Sequence, residues 1–144
     1  MSDDDGDATA AISSEVWLRM SDLVLDHMRR REVSDALGMP FGRARALRRL
    51  ARRPMSMGEL ATALDIDPPN ATVVVDDLES QNLVRRRPHP TDRRAKLVEA
   101  TPKGQELARR ADVILGTPPP GLSALEGEEL EVLRGILERV AAGG

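Results

Sequence analysis

Residues 55–101 read MSMGELATALDIDPPNATVVVDDLESQNLVRRRPHPTDRRAKLVEAT and contain two short helical patterns. Ser56 and Glu59 form a capping-box sequence, which predicts the start of a helix. Asp67 before Pro68 predicts the start of a second helix, because a proline at the first helical position gives up an N–H that has no helical partner. Two capped helices joined by a tight turn follow from this stretch.

A basic β-hairpin is predicted after the helix pair. Residues 83–88 and 94–100 alternate as two strands around a loop with two prolines. Between Leu83 and Lys96 there are six basic residues and one acidic residue. The order of elements predicts a mainly α protein of the winged helix-turn-helix class with a two-stranded β-wing. An exposed hairpin of this charge is suited to contact with a phosphate backbone or a narrow minor groove.

The second capped helix has a buried face and an outward face. Its apolar residues recur at three- and four-residue intervals and are expected to be buried: Ala71, Val74, Val75 and Leu78. The residues expected to contact DNA lie on the outward face of this helix and on the hairpin: Pro69, Asn70, Thr72, Val73, Arg85, Arg86, Arg87, His89, Arg93 and Arg94. The helix has no Arg or Lys, and its Asp76 and Asp77 are expected to repel phosphate. We therefore expect affinity to come mainly from the wing and the arginine-lined helix before the pair, with modest base discrimination.

The rest of the chain is expected to pair two copies of this module. Residues 1–11 are acidic and lack periodicity, which predicts a disordered tail. Residues 12–144 are predicted to form one domain with a winged core at about 42–101. Amphipathic helices at about 13–37 and 102–141 flank the core and are candidates for dimerisation.

Composition excludes several classes of function. The chain has no Cys, which excludes disulfides and thiol chemistry. No run of about 18 apolar residues is present, and the acidic start is unlike a signal peptide, so a soluble cytoplasmic protein is expected.

The net charge is −3, yet the stretch from Arg43 to Lys96 holds twelve basic and seven acidic residues, a local excess of +5. Phosphates respond to that local field more than to the total.

Catalytic, metal and cofactor sites are not predicted. The two histidines, His27 and His89, are too few to form a zinc site without Cys. The serines lack a Ser–His–acid arrangement and are interpreted as caps or surface groups.

Trp17, Met20, His27 and Phe41 have two interpretations. Such residues are usually plain core, but these four are also candidates for the lining of a pocket for a lipophilic effector.

Three stretches make the chain resemble the MarR family of bacterial transcriptional regulators. They are ELATALDI at 59–66, NATVVVDDLESQNLVRRRPHPTDRRAKLVEATPKG at 70–104 and EELEVLRGILERV at 128–140. The most specific features are the wing sequence Asp92-Arg93-Arg94 and the passage from Leu97 to Gly104. Within the wing sequence, we expect Asp92 to restrain one guanidinium group and leave the other free.

The resemblance implies a homodimer with intertwined terminal helices and one winged module per protomer. It further implies binding to a pseudo-palindromic operator in double-stranded DNA, usually as a repressor that a small ligand releases. The family commonly carries Arg or Lys where this chain has Pro68, Val73 and Asp77. That difference leaves open an alternative, a winged-helix module that binds a protein partner without specific DNA recognition.

Overall fold

The computed structural model describes residues 2–143, so the ends of the expected tail and domain, Met1 and Gly144, lie outside the described residues. A small sheet is surrounded by helices, in an order that confirms the winged helix-turn-helix prediction. The elements are α1 (Ser2–His27), α2 (Arg30–Leu37), α3 (Phe41–Arg52), β1 (Met55–Ser56), α4 (Met57–Leu64), α5 (Pro68–Ser80), β2 (Val84–Pro88), β3 (Lys96–Ala100), α6 (Pro102–Leu115), α7 (Pro120–Ser123) and α8 (Gly127–Ala142).

The hydrophobic core lies between α2–α6 and the sheet. It consists of aliphatic side chains from every one of these elements, as expected for a chain with almost no aromatic residues. The largest fully buried side chains are Leu47, Leu50, Leu60, Leu78, Leu83, Val33, Val75, Val84 and Val98. Helix α3 packs on α2, on α6, on the helix pair and on β3. This core fixes the positions of α5 and the wing.

The predicted caps of the helix pair are confirmed. The hydroxyl of Ser56 accepts a hydrogen bond from the Glu59 N–H at 3.1 Å, and the Glu59 carboxylate accepts one from the Ser56 N–H at 3.3 Å. The Asp67 carboxylate accepts a bond from the Asn70 N–H at 2.8 Å, which begins α5. After α5, Asn82 adopts φ of 59°, the left-handed conformation that closes a helix C-terminus.

The sheet has three antiparallel strands in the order β1-β3-β2, one more than the sequence predicted. The additional strand β1 has two residues, and its Met55 is paired with Val98 of β3. A two-residue strand is too short to show alternation, so only its tertiary pairing reveals it. The hairpin β2–β3 projects beyond it, where Pro88 is paired with Lys96.

The N-terminal region differs from the prediction. Residues 1–11 were expected to be disordered, but residues 2–11 form the first turns of α1. The carboxylates of Asp3, Asp4 and Asp5 lie in the first turn, where they interact favourably with the positive end of the helix dipole. The expected continuous helix over about 13–37 is also corrected, since it is broken at residues 28–29 and resumes as α2.

Within residues 2–143, the two long terminal helices α1 and α8 have no buried residues. Among the helices described there, only the short α7 also has none. Both nevertheless carry large apolar side chains, which are exposed in the single chain: Ile12, Val16, Trp17, Leu18, Leu23, Val24 and Leu25 on α1, and Leu130, Val132, Ile136, Leu137 and Val140 on α8. None of the helices within residues 2–143 has the length and apolar character needed to cross a bilayer.

Candidate nucleic-acid interface

The sequence placed Pro69, Thr72, Val73 and Asp76 on the outward face of α5, with Asn70 at its edge, and Asp76 is exposed together with the other four. Pro69, Asn70, Thr72 and Val73 are all exposed, whereas the predicted inner face is buried. The Thr72 hydroxyl donates a hydrogen bond to the Pro68 carbonyl oxygen at 3.2 Å. The side-chain amide of Asn70 makes no hydrogen bond within residues 2–143 and can donate or accept at a base edge.

The carboxylates at the end of α5 are paired with arginines from other elements. Asp77 accepts a hydrogen bond from Arg43 of α3 at 3.0 Å. Asp76 and Glu79 both bind Arg86 of β2, at 2.6 and 2.8 Å. The expected repulsion between this part of α5 and phosphate is therefore partly cancelled by the protein's own cations.

Arg86 connects the wing to α5. Its side chain is only 23% exposed, and its backbone N–H also donates to the Glu79 carboxylate at 3.3 Å. The hydrogen bond to Asp76, together with the charges of Glu79 and Asp76, raises the pKa of the Arg86 guanidinium above its ordinary value. Both terminal nitrogens of the guanidinium, Nη1 and Nη2, thus donate to protein carboxylates, so the structure gives Arg86 a positioning role.

Arg85 and Arg87 share one acidic partner across the hairpin. Both bind the carboxylate of Glu99 on β3, at 2.7 and 2.9 Å. The hydrogen bond from Arg85 and the nearby charge of Arg87 lower the pKa of Glu99. Two cations and one anion leave this part of the wing with a net positive charge, and the side chains of Arg85 and Arg87 are 66% and 40% exposed.

The wing tip is ordered by His89 and Asp92. The Nδ1 atom of His89 accepts hydrogen bonds from the N–H groups of Thr91 at 3.2 Å and Asp92 at 3.1 Å, so in the neutral ring Nε2 carries the proton. Asp92 accepts a bond from the backbone N–H of Arg94 at 3.0 Å. The expected ion pair between Asp92 and an arginine guanidinium is not formed among the described residues. Arg93 and Arg94 are exposed there without an acidic partner.

Some residues that shape this surface were missed from the sequence. Arg43 and Asp77 are 34 residues apart, and no local pattern links them. The pairing of Arg85 with Glu99 is the kind of contact that a sequence can predict, because the strand register places these two residues directly opposite each other. An alternating hairpin could therefore have revealed that pair, but not the contacts between α3, α5 and β2.

A large cavity lies between α1, α3, the end of α6, α7 and α8. Its volume is about 1240 Å³, and three of the four predicted pocket residues, Met20, His27 and Phe41, line it. The fourth, Trp17, is not part of the lining and is 64% exposed. It lies one turn of α1 nearer the N-terminus than Met20. The rest of the lining is mostly aliphatic, with leucines from α1, the segment after α6, and α8.

Six polar side chains line this cavity: Arg29, Arg30, Arg45, Arg48, His27 and Thr117. The Nε atom of Arg29 is buried and has no hydrogen-bond partner within the described chain. Arg30 stacks on Phe41, with its guanidinium carbon 5.3 Å from the ring centroid. The Nδ1 atom of His27 lies 3.0 Å from the Leu23 carbonyl oxygen and must donate to it, which leaves Nε2 as an acceptor in the neutral ring. No group of three or more acidic or histidine side chains placed to hold a metal occurs in residues 2–143.

The sequence model of the MarR family matches residues 37–95, which include the helix pair and most of the wing. A putative transcriptional regulatory protein for the hcr operon of Thauera aromatica is 32% identical over 112 residues, covering 76% of this chain and 68% of that protein. The chain belongs to the MarR family. It is a transcriptional regulator, and the resemblance stated from the sequence is confirmed.

Solved MarR-family structures share the fold. A mutant of MepR from a multidrug-resistant clinical isolate of Staphylococcus aureus superposes with a TM-score of 0.70 at 19% identity, covering 91% of this chain and 96% of that chain. The MarR-family regulator Sco3205 of Streptomyces coelicolor, solved in complex with DNA, superposes with a TM-score of 0.63 at 26% identity. That match covers 92% of this chain and 89% of that chain.

Proposed function

We propose that this MarR-family protein is a cytoplasmic homodimer that binds a pseudo-palindromic operator and represses transcription until a small ligand releases it. Two surfaces together support the DNA-binding part of this proposal. The first is the exposed face of α5, which has no Arg or Lys, and the second is the wing tip, where Arg93 and Arg94 have no acidic partner in residues 2–143. The first surface suits base edges, and the second suits phosphates.

The proposed DNA contacts divide by chemistry. Pro69, Asn70, Thr72 and Val73 would face the bases. Arg93 and Arg94 would contact phosphate or enter the minor groove, with His89 Nε2 as an additional donor at the wing tip. Arg85 and Arg87 add positive charge while they hold Glu99, and Arg86 fixes the angle between wing and helix.

The proposed partner of the terminal helices is a second copy of the chain. Ile12, Val16, Leu23 and Val24 fall on one side of α1, and the apolar residues of α8 likewise have no cover within the described chain. Apolar surface of this extent on a monomer is a sign of an association site. A two-fold axis would place two α5 helices in major grooves about one helical turn, or roughly 34 Å, apart.

The proposed effector site is the cavity beside α1 and α3. Its aliphatic lining suits an apolar molecule, and the four arginines in the lining, Arg29, Arg30, Arg45 and Arg48, suit a ligand carboxylate. The cavity touches both a terminal helix and α3, which packs on α5 and β3. A ligand there is therefore placed to alter the angle between the dimerisation helices and the DNA-reading module.

In vitro selection from random duplexes, followed by titrations between roughly 50 and 200 mM salt, tests the DNA-binding proposal. We expect a two-fold symmetric consensus and a steep loss of affinity with salt. Arg94→Ala should reduce the slope of log affinity against log salt by about 1.8, since each of two protomers loses one phosphate contact worth about 0.9. Arg109→Ala is the matched control, because Arg109 lies on α6 and pairs only with Glu106 among the described residues.

The same experiment separates the two interpretations that the sequence left open. If no duplex binds even at low salt, the DNA-binding proposal is wrong and the protein-interaction alternative gains support. If Arg109→Ala reduces the slope as much as Arg94→Ala, the wing tip is not the phosphate contact.

A thermal-shift comparison of lipophilic carboxylic acids with their primary amides tests the effector proposal. At about a hundred times its dissociation constant, an acid should raise the midpoint by roughly 5–10 °C, from about 2.7 kcal/mol of binding energy. Arg29→Gln should reduce the preference for the acid without removing it, because Arg30, Arg45 and Arg48 also line the cavity. Arg31→Gln, a change at an exposed residue of α2 outside the cavity lining, should leave the preference unchanged. Stabilisation of the unchanged protein by acid and amide alike would contradict the role of the lining arginines.

A further inference from the structure

Val73 is an exposed apolar residue at the centre of the outward face of α5. Its side chain is 56% exposed, whereas the next two residues, Val74 and Val75, are 7% and 0% exposed. With about 100° between successive helical residues, Val73 lies opposite the buried face, and Pro69 precedes it by about one turn. A β-branched residue in this position lowers helix propensity and gains no packing within the described chain.

Among the polar groups beside Val73, only the side-chain amide of Asn70, three residues earlier, has no hydrogen-bond partner within residues 2–143. The helix PPNATVVVDDLES contains no Lys or Arg. One turn further on, Asp76 is bound to Arg86 at 2.6 Å, and the proton of the Thr72 hydroxyl is directed at the Pro68 carbonyl. The middle of the outward face is therefore an apolar patch made by Pro69 and Val73.

Base edges in the major groove offer only one apolar group to such a patch. Guanine presents two acceptors that are read by Arg or Lys, adenine presents an acceptor and a donor, and thymine presents an acceptor and a methyl group. A helix without cations cannot make the bidentate contact to guanine. A valine side chain that packs against a thymine methyl group is removed from water, and the hydrophobic effect stabilises that contact instead.

We infer that Val73 is a specificity-determining residue that selects a T·A pair in each half-site through the thymine 5-methyl group. This inference rests on the proposed DNA-binding function and adds the class of base pair that α5 reads. The base pairs under the middle of α5 are then A·T pairs, and guanine is not required there. Affinity still comes from phosphate contacts made by the wing, which carry no sequence information.

Replacing thymine by uracil at single positions of the selected operator tests the inference, because uracil lacks only the methyl group. One position per half-site should show a penalty of about fourfold, and about fifteenfold when both half-sites are changed, as expected for one methyl group returned to water per site. Val73→Ala should weaken binding to the thymine operator by a similar factor. It should also abolish the uracil penalty at that position, because the two changes remove the same contact.

Thr72→Ser is the matched control, since it removes the other exposed methyl group beside Val73 and keeps the hydroxyl. It should leave the uracil penalty intact. Loss of the penalty in Thr72→Ser but not in Val73→Ala would overturn the inference. Specific operator binding without any uracil-sensitive position would also overturn the inference, but it would leave the proposed function intact. Absence of duplex binding by the unchanged protein would instead contradict the proposed function itself. Val73→Ala should fold normally, because the side chain is exposed and Ala is the better helix former.

Discussion

Replacing Arg86 by Ala tests whether this side chain positions the wing or contacts DNA. From sequence alone Arg86 is one of three equivalent wing arginines. In the structure its guanidinium is bound by Asp76 and Glu79 of α5, and its side chain is 23% exposed. The substitution should therefore lower stability, and it should lower DNA affinity without removing a phosphate contact.

The size of the effect follows from the exposure of the partners. The Asp76 and Glu79 side chains are 62% and 43% exposed, so solvent screens both ion pairs; each contributes about 0.5–1 kcal/mol, and the two together about 1–2 kcal/mol. In a chain of 144 residues this lowers the melting midpoint by roughly 3–8 °C. The two carboxylates also become uncompensated, and each adds about 0.4 kcal/mol of repulsion to a phosphate about 10 Å away.

The assay combines thermal melting at fixed protein concentration with DNA titrations at several salt concentrations. Arg86→Ala should melt earlier and bind operator several-fold more weakly, with a salt slope changed by much less than the value of about 1.8 expected for Arg94→Ala. Adding Asp76→Asn to Arg86→Ala should recover part of the affinity, because one uncompensated charge is removed, but should not recover stability. An Arg86→Ala variant with an unchanged midpoint and a slope reduced by about 1.8 would refute the positioning role and restore the sequence-based prediction of a phosphate contact.

Three further predictions concern packing, pH and assembly. Gly104→Ala should destabilise the protein by about 1–3 kcal/mol in chemical denaturation, since its Cβ would collide with the Leu83 carbonyl oxygen, whereas Gly42→Ala, with nothing within 4 Å, should be neutral or slightly stabilising. Because the pKa of Glu99 is lowered on folding, its contribution to stability is present above its unfolded pKa and is lost as the pH falls below about 4.3; Glu99→Gln should flatten that part of the stability–pH curve. Trp17 is the only Trp in a chain without Tyr, so its fluorescence reports on α1; a red shift on dilution is expected if the dimer buries it, and concentration-independent emission would argue against that burial.

Local signals in the sequence were sufficient for the winged core. The caps at Ser56 and Asp67 and the left-handed Asn82 depend on residues three or four positions apart, and all three are present in the structure. The inner face of α5 follows from helical periodicity alone. The N-terminal helix was less predictable, because no proline or glycine marks its break at residues 28–29, and because its acidic start has the composition of a disordered tail.

The candidate site was predicted less completely than the fold. The sequence placed the α5 residues on the outward face and the arginines on the hairpin. It did not show that Arg86 is held by α5 carboxylates or that Asp92 binds the Arg94 backbone. Three of the proposed pocket residues line one cavity, and Trp17 does not. The DNA and effector contacts themselves stay predictions.

The sequence by itself determined the order of the capped helix pair and the hairpin, the buried face of α5, and the accumulation of positive charge between Arg43 and Lys96, because these properties depend on neighbouring residues. Only the tertiary structure decided which of those charges are available. Arg43 and Arg86 are neutralised by carboxylates brought close by the packing of α3, α5 and β2, while Arg94 at the wing tip has no acidic partner in the described chain. Coulomb interactions act over distance in space and not along the chain, so the same residue type serves as a structural clamp at one position and as a candidate phosphate contact at another.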